Sequence, residues 1–221
     1  MMSMPRILKV GKVVDELTLG KVREAAEAIK EGKLVIYPTD TVYGLGTNPF
    51  SDQAVRRLIE AKRRPLGKHI PLLVSSISRV EELAILNDYA RALAEKFWPG
   101  PLTIVLPLRK NTGLSSLLFG GEEENGFRIP QNPIAQALIK GSGGVITGTS
   151  ANISGRKPPI TAQEAVQQLG ESVDLVLDGG ETFYKQPSTV VKVLKDGSLV
   201  IIREGALKIE HIMKFIKSLL A

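Results

Sequence analysis

The sequence predicts an α/β fold built on a twisted, mixed, partly antiparallel sheet with flanking helices. Three observations carry this. Short β-branched runs alternate along the chain with segments whose apolar residues recur at helical spacing. Two runs, Leu34-Val35-Ile36 and Val145-Ile146, feed directly into loops of hydroxyls and glycines, the position where open α/β sheets hold ligands. Near the C-terminus, strands at Thr189–Leu194 and Leu199–Arg203 are joined through Asp196-Gly197, a hairpin signal that requires antiparallel pairing.

Taken in order, Thr18–Glu31 reads as an amphipathic helix stopped by Gly32, leading into a strand over residues 33–37. Pro38 ends that strand, because it lacks an N–H and fixes φ. In the loop that follows, Gly44 and Gly46 permit backbone conformations or close approaches that a Cβ would block. Ser51 caps a helix over 52–63 carrying Ala54, Val55, Leu58 and Ile59 on one face. Pro65 biases Arg64 away from the α region, so that helix stops near Arg63. A strand at Ile70–Ser75 and a helix at Asn87–Phe97 follow; Trp98-Pro-Gly-Pro101 breaks the helix before the strand Leu102–Leu108. Residues Asn111–Asn125 are polar and glycine-containing, with glutamates at 122–124, and read as a mobile loop. Asn132-Pro133 supplies an N-cap and first helical position for a helix to Lys140. Val145–Thr147 is a strand, Thr161-x-x-Glu164 is a capping box, and Leu175–Leu177 is a further strand. A final helix, Ile209–Leu220, has an apolar stripe through Ile209, Ile212, Met213, Ile216 and Leu219-Leu220.

At 221 residues with 43% apolar content, one domain spanning 1–221 with a sizeable core is expected. No apolar run approaches 18 residues, so no membrane span is predicted. The N-terminus, Met-Met-Ser-Met-Pro-Arg, is not followed by an apolar stretch, so no secretory signal is read. The absence of cysteine excludes disulfides and thiolate chemistry and fits a cytoplasmic location. With 29 Lys+Arg against 23 Asp+Glu, the net charge of +6 favours anionic partners but is modest for a dedicated nucleic-acid binder.

Three segments carry candidate chemistry. Tyr37-Pro-Thr-Asp-Thr-Val-Tyr-Gly-Leu-Gly46 places hydroxyls and one carboxylate, Asp40, just past a strand. Ala61-Lys62-Arg63-Arg64-Pro65-Leu66-Gly67-Lys68 crowds four cations at a helix end. Cations there suit the negative end of the helix dipole, and they equally suit a polyphosphate, with Arg giving bidentate recognition and Lys a mobile charge. Thr147-Gly-Thr-Ser-Ala-Asn-Ile-Ser-Gly155 is a small-residue loop able to offer N–H groups and hydroxyls to phosphate oxygens. Neither a Walker loop nor a Gly-x-Gly-x-x-Gly opening a helix occurs.

Together with Phe127-Arg128-Ile129-Pro130 and Pro187-Ser-Thr-Val-Val191, these segments, in this order, resemble the YrdC family, the threonylcarbamoyl-AMP synthases. The resemblance runs from about Leu17 to Gly205, with the helix at about 209–220 beyond it. It implies a YrdC-like fold and an enzyme joining L-threonine, bicarbonate and ATP into threonylcarbamoyl-adenylate with release of pyrophosphate. A separate transferase complex would then pass the group to adenosine 37 of tRNA. Some relatives carry a further C-terminal domain; the expectation here is the catalytic domain alone. Carbamoyl-transfer domains with zinc-binding cysteine pairs are a poorer match, since this chain has no cysteine.

The resemblance assigns the catalytic, phosphate-holding tetrad to Lys62, Arg64, Ser150 and Asn152, with Lys68 and Arg203 as further ATP contacts. It assigns threonine binding to Thr41, Arg128, Gly148 and Ser188. Such chemistry rests on positioning and charge neutralisation rather than a protein nucleophile, and His69 and His211 are poor candidates for a base. Mg²⁺ is expected to arrive with ATP; no protein-held metal is predicted, and Asp40 reads equally as loop-shaping or as a metal contact. The chain departs from the family pattern at His69, Leu73, Glu124, Asn132 and Lys192. The competing reading is a double-stranded-RNA or ribosome-binding protein. On the enzyme reading, weak non-specific RNA binding through Arg56, Arg57, Lys62, Arg63, Arg64 and Lys68 is the residual expectation.

Overall fold

The computed structural model describes residues 4–11 and 13–220; Met1–Ser3, where the N-terminal segment read above begins, and the Leu220 side chain lie outside. Its strands form two mixed sheets. The first contains β1 (Arg6–Lys9), β2 (Val35–Tyr37), β3 (Gly44–Gly46), β8 (Thr149–Ser150) and β9 (Leu175–Asp178), in the order β1-β9-β2-β3-β8. The second contains β4 (Leu72–Val74), β5 (Leu102–Pro107), β6 (Glu124–Arg128), β7 (Val145–Thr147), β10 (Thr189–Val193) and β11 (Leu199–Arg203), in the order β11-β10-β5-β6-β4-β7. Between them in sequence run α1 (Glu16–Lys30), α2 (Asp52–Ala61), α3 (Ile77–Leu83), α4 (Asp88–Phe97), α5 (Pro133–Gly141) and α6 (Ala162–Leu169), with α7 (Ile209–Leu220) last.

Successive strand residues face opposite sides of a sheet, and here each side has its own core. Val35, Tyr37, Leu73, Ile146, Leu175 and Leu177 pack with α1 and α5 in one buried cluster. Their alternates Ile36, Leu72, Val74, Val145 and Val176 belong to a larger cluster that also takes in α2, α4 and β5. Burial on both faces explains why these strands are short continuous apolar runs.

The helix ends follow the expected chemistry, with adjustments. Ser51 Oγ accepts from Ala54 N at 3.2 Å, opening α2. At its other end Arg63 adopts φ +49°, and the N–H groups of Arg63 and Arg64 return to Glu60 O and Ile59 O, both at 2.9 Å. This left-handed closure, with arginine where glycine is usual, turns the chain before Pro65. Asn132 Oδ1 caps α5 by accepting from Ile134 N and Ala135 N, both at 3.0 Å, which gives that family departure a structural role. In α6, Thr161 accepts from Glu164 N, while the Glu164 carboxylate reaches Ile160 N at 2.8 Å rather than the cap residue itself. The α7 stripe is narrower than read: Ile212 and Ile216 are buried, whereas Met213 and Leu219 are exposed.

Several elements were not legible. β3 is Gly-Leu-Gly, a poor strand composition, but the Tyr37 ring lies flush on it: a Cβ at Gly44 would sit 2.6 Å from Tyr37 Cζ, and one at Gly46 2.8 Å from Cε1. Residues 111–125, read as a mobile loop, carry buried anchors. Leu118 is fully buried and its carbonyl accepts from Ile70 N at 2.7 Å, while buried Asn125, the second residue of β6, donates to Ile70 O at 2.9 Å. α3, capped by Ser76, and the four-residue β1 are too short to show periodicity.

Candidate functional site

The sheet registers build a row of side chains across the second sheet. Arg203 on β11 stands opposite Val190 on β10, Val190 opposite Thr103 on β5, and Arg128 on β6 opposite Leu73 on β4. The antiparallel pair Ile104–Phe127 brings Thr103 beside Arg128 and closes the row. All five residues line one cavity of about 240 Å³, whose other walls come from Thr41, Val42, Arg64, His69, Pro71, Gly148, Thr149, Ser150, Pro158, Pro187 and Ser188. Thus Thr41, Arg64, Arg128, Gly148, Ser150, Ser188 and Arg203, far apart in sequence, share a single chamber.

Arg128 is held on three sides. Its Nε donates to Gly100 O at 2.9 Å, one terminal nitrogen donates to Thr41 Oγ1 at 2.8 Å, and the other donates to Asp40 Oδ1. Each terminal nitrogen keeps one N–H in hand, a fork suited to a carboxylate. Asp40, 4% exposed, is therefore an orienting partner of Arg128 rather than a free metal ligand. Arg203 reaches back to Ser188 O at 2.9 and 3.1 Å, and Ser188 Oγ bonds Thr103 Oγ1 at 2.9 Å. Arg64 is braced by the carbonyls of Lys68 and His69. Burial, joined at Arg203 by the nearby Arg128 charge, lowers the pKa values of Arg64 and Arg203, yet arginine remains cationic at such shifts.

Three predicted contacts do not line the cavity. Lys68 is exposed. Asn152 is buried, its amide donating to Ile153 O at 2.9 Å and Arg156 O at 2.8 Å, which shapes the loop after Ser150. Lys62 is 1% exposed and its ammonium donates to Ser150 O and to Asn152 O, the latter at 2.7 Å. Desolvation first, then the Arg64 charge, pushes Lys62 down to about 7. A neutral amine has two N–H groups, enough for both carbonyls, so the third proton of the ammonium is the one left for a phosphate. Gly148 is required for space: a Cβ would lie 2.7 Å from Leu73 Cγ, and its N–H is already committed to Pro71 O at 2.7 Å.

Thr103 was missed; a single hydroxyl in an otherwise apolar strand gives no signal. Two family departures compensate each other, since Lys192 forms an ion pair with Glu124. His69 likewise faces Glu122 at 3.4 Å. The basic stretch 56–68 does not form one surface. Lys62 is buried, Arg57 pairs with Asp174 at 3.1 Å, and Arg64 turns into the cavity. Among the described residues, no three His, Asp or Glu converge to hold a metal ion, and no helix is long and apolar enough to cross a membrane.

The Sua5/YciO/YrdC family model, described as "Telomere recombination", matches residues 27–205. The chain belongs to this family. A threonylcarbamoyl-AMP synthase of Pyrococcus abyssi is 41% identical over 197 residues, covering 89% of this chain and 57% of that protein. A putative threonylcarbamoyl-AMP synthase of Methanocaldococcus jannaschii is 35% identical over 209 residues, covering 95% and 97%. The crystal structure of P. abyssi Sua5 complexed with L-threonine superposes with a TM-score of 0.89 at 38% identity, over 95% of this chain and 60% of that one. The chain thus spans somewhat over half of the P. abyssi relative. The mixed α/β class and partly antiparallel pairing expected of a Sua5/YciO/YrdC protein are both present.

Proposed function

We propose that this chain, acting as one catalytic domain, synthesises L-threonylcarbamoyladenylate from L-threonine, bicarbonate and ATP, releasing pyrophosphate. The observation that carries the reading is the convergence of Thr41, Arg64, Arg128, Ser150, Ser188 and Arg203 on one cavity, in a chain whose named relatives are synthases of this product. The Arg128 fork takes the threonine carboxylate, with Thr41 and Ser188 beside it. Arg64, Arg203 and the Ser150 turn neutralise and seat the phosphates. Lys62 and Asn152 hold that turn from behind, and Lys68 reaches the nucleotide from the rim.

Threonine's ammonium loses a proton, its nitrogen attacks the carbon of bicarbonate, and water leaves to give the carbamate. A carbamate oxygen then attacks the α-phosphorus of ATP, the bond to the bridging oxygen breaks, and pyrophosphate departs. Neither step needs a protein nucleophile; both need two anions held together, which costs least among fixed cations and dipoles. Mg²⁺ travels on the ATP phosphates with its waters, since Asp40 is committed to Arg128.

The product serves a tRNA-modifying transferase complex, in the cytoplasm. A dedicated double-stranded-RNA or ribosome-binding role fits less well, because the cations that suggested it face different directions; weak, salt-sensitive RNA contact through exposed Arg56, Arg63 and Lys68 is what remains. Mass spectrometry after incubation with ¹³C-bicarbonate tests the proposal. The adenylate should carry the label; ATP cleavage without a labelled adenylate contradicts it.

A further inference from the structure

Thr103 lines the cavity from β5, where it is the lone hydroxyl in the strand Leu-Thr-Ile-Val-Leu-Pro, and it is 3% exposed. Its conformation is fixed from one side. The methyl Cγ2 lies against Gly126, where a Cβ would sit only 2.9 Å away. A β-branched side chain has little χ1 freedom, so this contact holds Oγ1 on the side of Ser188. The two hydroxyl oxygens are 2.9 Å apart, and Thr103 Oγ1 has no other hydrogen-bond partner among the described residues.

The protons available to this pair fix the direction of the bond. A hydroxyl carries one proton and two acceptor lone pairs. Thr103 meets no other acceptor, so its proton goes to Ser188 Oγ. The opposite direction would strand the proton of the more deeply buried hydroxyl, since Ser188 is 7% exposed. Arg203, which can only donate, bonds Ser188 O at 2.9 and 3.1 Å and also places a terminal N–H on Ser188 Oγ at 3.3 Å. Both lone pairs of Ser188 Oγ are then occupied, while its own proton has no acceptor among the described residues. Ser188 shares the cavity wall with Arg128, and that proton is left for what enters there.

We propose that Thr103 is a positioning residue for substrate: with Arg203, it makes the Ser188 hydroxyl a dedicated hydrogen-bond donor facing the cavity. A donor suits an anionic oxygen and has nothing to offer an ammonium, whose N–H groups also only donate. A carboxylate on the Arg128 fork therefore gains a further hydrogen bond from Ser188, and an α-amino acid enters with its ammonium turned away from Ser188. Thr103 itself touches no substrate; it acts through Ser188. The inference rests on the proposed threonine site and adds the residue that sets the polarity of one of its hydroxyls.

Calorimetric titration of the full chain with L-threonine, carried through a double-variant cycle, tests this. Thr103→Val keeps the shape of the side chain and removes its hydroxyl. It should weaken L-threonine by about three- to tenfold, as loss of one neutral hydrogen bond does. Ser188→Ala, which removes a bond to a charged group, should weaken it by roughly tenfold or more. The double variant should bind no more weakly than Ser188→Ala alone, because Thr103 has no other route to the ligand. Thr103→Ser should return most of the affinity, and Thr103→Ala, which cannot crowd the strand, should match Thr103→Val. Unchanged affinity in Thr103→Val, or its full loss repeated on the Ser188→Ala background, overturns the positioning role and leaves the threonine site standing. Unchanged affinity in Ser188→Ala instead overturns the assignment of Ser188 to threonine, and the role of Thr103 falls with it.

Discussion

Replacing Arg128 with alanine separates two roles of one side chain, one observed and one proposed. Arg128 is both the counter-ion of buried Asp40 and the proposed carboxylate fork. Its removal strands Asp40, 4% exposed, with neither oxygen partnered, and breaking a buried pair in this way typically costs about 3–5 kcal/mol. Loss of hydrogen bonds to a charged ligand should weaken threonine by about 1.5–3 kcal/mol, roughly ten- to a hundred-fold. The double variant Arg128→Ala, Asp40→Asn distinguishes the effects, because it removes the stranded charge without restoring a fork. Urea unfolding should recover about half or more of the lost stability, while calorimetric titration should find threonine binding as weak as in the single variant. If threonine affinity returns with stability, Arg128 is only Asp40's partner and the assignment of the substrate carboxylate is wrong.

Arg64→Ala should weaken ATP by roughly ten- to a hundred-fold with threonine binding unaltered, measured by the same titrations, since it removes a charge-assisted phosphate contact. Lys62, pushed down to about 7, must take up a proton when a triphosphate arrives above that pH. ATP affinity should therefore be flat below pH 7 as far as Lys62 is concerned and fall by up to about tenfold per unit above it. Titrations in two buffers of different ionisation heat should register proton uptake that vanishes in Lys62→Met. The same depressed value makes the fold gain stability as pH rises from about 7 towards 10.5, where the unfolded chain still holds the proton. Gly44→Ala drives a methyl into Tyr37, whose hydroxyl is anchored to Thr147 O at 3.0 Å; urea unfolding should show a loss of about 1–3 kcal/mol.

What the sequence revealed was local or motif-borne. Ser51, Asn132 and Thr161 announced helix starts because a cap is a contact within three residues. The cavity was legible as motifs, and Thr41, Arg64, Arg128, Ser150, Ser188 and Arg203 meet there. What escaped depends on partners distant in the chain. β3 is a strand because Tyr37 needs two glycines beneath its ring, and the second residue of β6 is a buried asparagine satisfied by Ile70. Lys62 was legible as a candidate phosphate contact; its two carbonyl partners, 88 and 90 residues away, through which it also anchors the Ser150 turn, were not. Glu124 and Lys192 looked like separate departures until the sheet set them within ion-pair reach.

On the proposed function, one cavity joins threonine and bicarbonate before ATP is cleaved. Pyrophosphate release measured with each substrate omitted in turn tests this most directly. Release is expected only when L-threonine, bicarbonate and ATP are all present; equal release without threonine would overturn the synthase reading and mark the chain as a plain nucleotide hydrolase.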